Sequence, residues 1–339
     1  MNGTQILLDH IGEREAAALM VDGRLNDLLI DGDAPRPGTI YRAISDRPMA
    51  GQGGLFLKTP DGMAYLRGVK GIGPGEVLQV QVTGYAEKGK AIPVTHKLLF
   101  KSRYAIVTPD APGLNLSRSI RDDEVRDSLL SLAHEGMEGS EMGLILRSAS
   151  ATADADDVAE DIAAMRDLAE QVTGDDGNEA EVLMMGDGPH VLAWRDWVAP
   201  ADVVTDAGCF DSHGVLDAID EARGTRVPLG GEATMFVQTT RALVAVDVNT
   251  GADGSFAAGL KANLACARAL PAALRVRGLG GQITVDLAPM PKKERRTFET
   301  TLRSAFRADD VDTVLAGWTP LGHFELQRKW ARLPLSEVL

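Results

Sequence analysis

The 339-residue chain has only two cysteines, Cys209 and Cys266, and aromatic residues make up just 5% of it. The cysteines share no CxxC spacing and have no histidine pair nearby. They read as small buried residues, and no structural zinc site is expected from this chain alone. No apolar run approaches the roughly 20 residues that span a bilayer. The first residues, MNGTQILLDHIGEREAAAL, lack a basic start and carry acids through their apolar part, unlike a signal peptide. A cytoplasmic protein is the resulting expectation. Cations are scarce as well: 35 Lys and Arg stand against 49 Asp and Glu, a formal charge of −14. That balance argues against a protein that holds nucleic acid by its overall charge, but it leaves room for a local basic groove. The basic residues do cluster, in LLFKSRY and in MPKKERRTFETTLR, whereas residues 153–181 are rich in acids.

The rest of the composition, 44% hydrophobic and 25% charged, is that of an ordinary globular protein, and the length implies two or three domains. AAALMVDGRLNDLLIDG reads as two strands around a glycine turn. Between residues 40 and 100, TIYRAIS, GLFLKT, MAYLRGV, EVLQVQVTGY and AIPVTHKLLF are short strand patterns separated by Gly or Pro turns, as in an OB-type barrel. Barrels of this kind bind single-stranded nucleic acid with aromatic platforms and scattered cations. Phe56, Tyr65, Lys58, Arg67 and Lys90 are the available pieces; the alternative is that Phe56 and Tyr65 are barrel core.

Residues 101–200 change to an α+β pattern. DDEVRDSLLSLAHEG and ADDVAEDIAAMRDLAEQVT have helical spacing with acids at their starts, and MGLILRSAS lies between them as a strand. EVLMMGDGPHVLAWRDWV reads as two strands around a turn, with Trp194 and Trp197 in packing roles. Beyond residue 200, GVLDAIDEARG reads as a helix, and GEATMFVQTT and RALVAVDVNT as a hairpin. FAAGLKANLACARALPAALRVRG reads as a long helix broken or shifted at Pro271. GQITVDLA follows as a strand, then PKKERRTFETTLRSAFRADD as an amphipathic helix whose basic start opposes the helix dipole. VDTVLAG reads as a strand and FELQRKWARL as a final helix.

LVAVDVNTG at 243–251 and GGQITVDLAPM at 280–290 are apolar runs that end in Asp247 and Asp286. Strand, helix and strand make a βαβ unit, so parallel strands would bring both aspartates to one carboxyl edge, where ligands bind in α/β sheets. Alternation puts Asn249 on the face of Asp247. Two carboxylates this close repel unless a proton or a cation sits between them, and a hard divalent ion, Mg²⁺ or Mn²⁺, suits an oxygen-rich set. Phosphodiester hydrolysis is the reaction class this implies. The alternative is that such aspartates cap the following helix.

These two segments and TPLGHFELQRKW together resemble the catalytic region of the bacterial ribonuclease E/G family. That family carries Asp-x-Asn-Ser/Thr-Gly, then Gly-Gly-x-x-x-x-Asp, then a Gly-x-x-Glu-x-x-Arg helix at similar spacing. LNLSRSI and GLILRSA resemble, more weakly, its sensor for an RNA 5′-monophosphate. The resemblance implies an α/β and α+β multidomain protein. Residues 1–36 and 200–222 would form a ribonuclease-H-like subdomain, 37–99 an inserted OB-type RNA-binding domain, 100–199 the 5′ sensor, and 223–339 an α/β metal-dependent nuclease domain. It implies Asp247 and Asp286 as Mg²⁺ ligands, with Asn249 orienting a carboxylate or the scissile phosphate. Arg147 and Ser148 would hold the 5′-phosphate, and Phe56, Tyr65 and Lys90 would contact RNA. The implied activity is endonucleolytic cleavage of single-stranded RNA, leaving a 3′-hydroxyl and a 5′-phosphate.

Three departures stand out. Ala252 occupies the place of the family's basic residue after Asn-Ser/Thr-Gly, and Pro289 that of a second acid. The sequence stops at LPLSEVL, before the cysteine segment through which two subunits share zinc, so a homodimer would not be zinc-linked. Two functions follow as candidates: a compact Mg²⁺-dependent endoribonuclease, and a relative that binds RNA but has weak or no catalysis. A phosphohydrolase of small nucleotides is a third, for which the OB-like region would have no use.

Overall fold

The structure, a computed structural model, describes residues 3–49 and 53–339, the side chains of Pro48 and Met49 excepted. It is a mixed α/β protein of several sheets, in two compact units: residues 1–32 with 200–339, and residues 33–199. No helix among the described residues is long and apolar enough to cross a membrane.

The chain starts with the meander β1 (Thr4–Ile11), β2 (Arg14–Val21) and β3 (Arg24–Ile30). Asp22 and Gly23 both have positive φ, 50° and 72°, which the two-residue turn between β2 and β3 requires. Strands β4 (Ile40–Met49), β5 (Gly54–Thr59), β6 (Gly62–Arg67), β7 (Val77–Val82) and β8 (Ile92–Thr95) then close a five-stranded barrel. Its ring order is β4-β5-β6-β8-β7 and back to β4, with β6 and β8 parallel. Tyr41, Leu55, Leu57, Ala64, Leu66 and Val80 fill the interior.

β9 (Phe100–Lys101), β10 (Ala105–Thr108), β11 (Leu114–Leu116) and β12 (Gly143–Leu146) make a second sheet in the order β11-β12-β10-β9. It packs on α1 (Asp123–Gly136) and α2 (Ala155–Thr173), through Val107, Leu144, Leu129 and Ile162. Each helix starts at an aspartate cap, Asp122 or Asp154, whose carboxylate accepts a backbone N–H of the first turn. β13 (Glu181–Met184) returns to pair with β4, and α3 (Pro189–Asp196) follows. The second strand expected in EVLMMGDGPHVLAWRDWV is therefore a helix. Gly188 and Pro189 begin it at the Ncap and first helical positions, a start signal that outranks the apolar alternation.

The unit that holds the chain's start resumes with β14 (Asp202–Val204), parallel to β1, and the helices α4 (Cys209–Ser212) and α5 (Val215–Arg223). Phe210, Val215 and Ile219 bury Leu7, Ala16 and Leu28 of the first three strands. A six-stranded sheet follows, built from β15 (Arg226–Gly230), β16 (Ala233–Thr239), β17 (Val244–Asn249), β18 (Gly281–Asp286), β19 (Thr313–Trp318) and β20 (Phe324–Arg328). Its order is β15-β16-β17-β18-β20-β19. Helix α6 (Phe256–Val276) joins β17 to β18, α7 (Arg295–Arg307) joins β18 to β19, and α8 (Leu335–Val338) closes the described chain.

Two expectations are corrected here. Helix α6 runs unbroken through Pro271, which is buried along with Ala267 and Leu270; close packing on the sheet holds the helix despite the missing N–H. FELQRKWARL does not form a helix, because FELQR is strand β20. Phe324, Leu326 and Arg328 alternate inward while Glu325 and Gln327 point out, a period of two rather than 3.6. The inward Arg328 is 2% exposed and ion-pairs with Asp309, which Arg275 also grips. Burial pushes the Arg328 guanidinium below its ordinary value, with Asp309 pulling the other way.

Candidate functional site

β17 and β18 are parallel, and the register sets Asp247 directly beside Asp286. Neighbouring strands lie about 4.8 Å apart, so the two carboxylates share one small volume at the carboxyl edge. Val246, Val248 and Val285 point into the core, which turns Asp247, Asn249 and Asp286 outward to water. The Asn249 amide donates to Asp247 Oδ2 at 2.7 Å and fixes that carboxylate. Neither aspartate caps a helix. Ser255 caps α6, its hydroxyl accepting from the N–H of Ala258 at 3.2 Å.

Several residues that the sequence did not single out hold this edge in place. Asn263, fully buried in α6, donates to the carbonyl of Ala288 at 2.9 Å and accepts from its N–H at 3.0 Å. The segment leaving Asp286 is thereby pinned to the helix. Gly259 has the same effect by being small: a Cβ there would overlap the carbonyl of Pro289. His323, immediately before β20, places Nε2 3.6 Å from Asp286 Oδ1. Asn263 sits at helical spacing inside an apolar run, a buried polar residue that would have been a fair signal. His323 lay in the quoted motif TPLGHFELQRKW and was passed over, because its strand was taken for a helix.

At the departure after Asn249, Glu232 occupies the space. Its Oε2 accepts the backbone N–H of Ala252 at 3.1 Å. Beyond it, hydrogen bonds from the backbone and hydroxyl of Ser255 hold the Asp253 carboxyl below its usual range. Among the described residues, no three His, Cys, Asp or Glu side chains are grouped to hold a metal ion. A Mg²⁺ ion asks for less, since it keeps several waters and binds through one or two carboxylates. The hard oxygen donors of Asp247 and Asp286 fit that requirement. Cys209 and Cys266 are buried thiols, and burial pushes them up to about 11 and about 12.

On the barrel, Phe56 and Tyr65 pair across β5 and β6 with ring centroids 5.4 Å apart. Their neighbours Leu55, Leu57, Ala64 and Leu66 point inside, so the two rings lie on the outer face and are not barrel core. The Arg47 guanidinium sits 5.6 Å from the Phe56 ring. Lys90 lies in the β7–β8 loop, 2.7 Å from Glu87.

The parallel pairing of β11 with β12 brings LNLSRSI alongside GLILRSA, with Leu116 opposite Leu146. Ser148 is exposed at the start of a short 3-10 turn. Arg147 donates to Asp196 Oδ1 at 2.7 Å and to the carbonyl of Ser102 at 2.6 Å, so its guanidinium is already engaged. Burial raises the Asp196 carboxyl, but Arg195 and Arg147 outweigh it and hold the group below its ordinary value. Trp197 is buried as expected of a packing residue; Trp194 is 52% exposed, with Arg103 stacked 5.1 Å from its ring.

An open α/β edge with paired carboxylates, in a chain that also carries a five-stranded barrel, is a combination found in metal-dependent nucleases with a nucleic-acid-binding module. The sequence matches the Ribonuclease E/G family over residues 100–200 and 196–331, and the chain belongs to that family. Ribonuclease G of Salmonella typhimurium is 25% identical over 406 aligned positions, covering 99% of this chain and 82% of that protein. Ribonuclease G of Escherichia coli strain K12 is 24% identical with the same coverage. Ribonuclease E of a Synechocystis species is 23% identical, covering 94% of this chain and 56% of its own length.

Proposed function

We propose that the protein is a Mg²⁺-dependent endoribonuclease that cuts single-stranded RNA in RNA processing or decay in the cytoplasm. The observation that carries this reading is the register of Asp247 against Asp286, with Asn249 bonded to the first. Asp247 and Asp286 would hold the ion, which when bound would polarise a phosphoryl oxygen and lower the pKa of a water. Asn249 holds the Asp247 carboxylate through its amide N–H and would offer its own carbonyl to a water or a ribose hydroxyl. Phe56 and Tyr65 offer two rings to successive bases, with Arg47 adding a cation at the edge. Lys90, exposed beside Glu87, would meet the RNA backbone with the ammonium donors that Glu87 does not take.

In this reading residues 1–36 and 200–222 are the ribonuclease-H-like part, 37–99 the OB-type RNA-binding domain, 100–199 the 5′-phosphate sensor and 223–339 the nuclease domain. Arg147 and Ser148 would grip a terminal phosphate, Arg147 by exchanging the Asp196 carboxylate for phosphate oxygens.

The test is cleavage of a labelled single-stranded RNA bearing a 5′-monophosphate. Wild type should cut it with Mg²⁺ and fail with chelator, and Asp247→Asn should bind the RNA without cutting. One observation favours the second reading, an RNA-binding relative with weak or no catalysis: Glu232 puts a carboxylate beside Ala252, where the family has a cation. If wild type and Asp247→Asn bind RNA alike and neither cuts, that second reading replaces the first.

A further inference from the structure

We propose that Arg295 is the phosphate-binding cation of this site, supplying the positive charge that Ala252 does not. The inference rests on the nuclease reading for its substrate, a phosphodiester of single-stranded RNA, and on the following geometry for its position. The Arg295 guanidinium carbon lies 4.3 Å from the centroid of the Trp318 ring. That ring is itself fixed: its Nε1 donates to Glu299, and Phe298 and Phe324 pack on it at 5.8 and 5.3 Å between centroids. The Arg295 guanidinium is thus held over a ring that its own contacts fix in place.

The guanidinium also lies beside the turn that leads into β20, the strand paired with β18. A Cβ at Gly322 would come within 3.2 Å of Arg295 Nη2. The next residue, His323, reaches Asp286 Oδ1 at 3.6 Å, and the register of β18 against β20 places Val285 opposite Phe324. Gly322, beside the guanidinium, is the chain neighbour of the histidine that faces Asp286.

A guanidinium held over a ring still has its N–H donors to offer, because they lie in its own plane. Among the described residues, no carboxylate pairs with Arg295, although acids outnumber bases in the chain by 49 to 35. Among the described residues, the contacts of Arg295 orient the group and none takes up its donors. Two parallel N–H groups match two non-bridging oxygens of a phosphate. Lys292, Lys293 and Arg296 are exposed neighbours of the same sign, and no ring fixes them. They add to the local potential, whereas Arg295 defines a position.

The experiment compares full-length wild type with Arg295→Ala, Arg295→Lys and the control Lys293→Ala. Binding of a fluorescent single-stranded RNA is measured by anisotropy in chelator across a salt series, and cleavage is followed separately with Mg²⁺. Arg295→Ala should raise the Kd about tenfold or more, as expected for a lost charge-assisted contact. It should also flatten the salt slope by about 0.7, one single-strand phosphate. Arg295→Lys should restore the slope but not the cleavage rate, because an ammonium lacks the fork. Lys293→Ala should change Kd by less than about threefold, as expected of an exposed charge. If Arg295→Ala unfolds, judged by circular dichroism, Arg295→Lys alone carries the comparison.

Equal losses in Arg295→Ala and Lys293→Ala, or an unchanged slope in the former, would overturn the assignment. So would full cleavage by Arg295→Lys. Because binding is read without metal, a wild type that binds but never cuts sinks the nuclease reading and leaves Arg295 on trial by its slope. A wild type that cuts while Arg295→Ala binds and cuts equally well sinks this assignment alone.

Discussion

Replacing Asp286 by Asn separates the cost of the site from its use. Two carboxylates held side by side on adjacent strands are about 5 Å apart, and Asp286 is 65% exposed, so the dielectric is close to that of water. Their repulsion is then about 1 kcal/mol at low ionic strength. Losing the exposed contact with His323 removes little in return. In chelator, Asp286→Asn should therefore be more stable than wild type, by roughly 2–4 °C in the melting of its unit. With Mg²⁺ the order should reverse. At a concentration about 100 times Kd, an ion that binds only the folded state adds about 2.7 kcal/mol, so wild type should gain roughly 5–10 °C while the variant stays flat. Scanning calorimetry in 20 mM-class buffer (low salt throughout, since screening erases the first effect) reads both. A variant less stable than wild type in chelator, or one that gains as much from Mg²⁺, would show that these aspartates do not form a cation site.

Three further outcomes are expected. Asp309→Asn leaves the buried Arg328 guanidinium without its carboxylate and Arg275 with Asp27 at 3.6 Å. Urea unfolding should show a loss of about 3–5 kcal/mol, with a loss under about 1 kcal/mol counting against the network. Arg147→Ala should remove any preference for a 5′-monophosphate over a 5′-hydroxyl end in competition cleavage, while Asp196 stays held by Arg195 at 2.8 Å and the fold persists. Phe56→Ala should weaken single-stranded RNA binding by about 1–3 kcal/mol in a titration, the usual worth of one stacked base; unchanged affinity would return the outer ring pair to a purely packing role.

The barrel and the βαβ unit were legible because their signals are local. VLQVQV alternates, LVAVDV and GQITVD are buried runs, and the strand–helix–strand order sets which ends meet. What failed was short or depended on distant partners. FELQR has five residues, too few for its period to stand out from FELQRKWARL, and its inward Arg328 looks polar until Asp309, 19 positions earlier, is seen beneath it. HVLAWRDW alternates well enough for a strand, and only Gly188-Pro189 marks it as a helix. Pro271 suggested a break that packing on every side prevents. At the candidate site, the placement of Asp247, Asn249 and Asp286 was readable from strand period and the strand–helix–strand order together. His323 and Arg295 were not, because the first depends on the β18–β20 register and the second on Trp318, 23 positions away.

The split unit also has a consequence for biosynthesis. Leu7, Ala16 and Leu28 are made first, yet the residues that cover them, Phe210, Val215 and Ile219, leave the ribosome about 180 residues later. At about 5–20 residues per second, the opening meander waits on the order of 10–40 s with its apolar face uncovered. Residues 33–199 have all their own core partners in that interval and can finish folding while the earliest strands are still unclaimed. Slowed translation would lengthen that wait, so aggregation of nascent chains, rather than loss of the finished fold, is the failure to which this topology is most open.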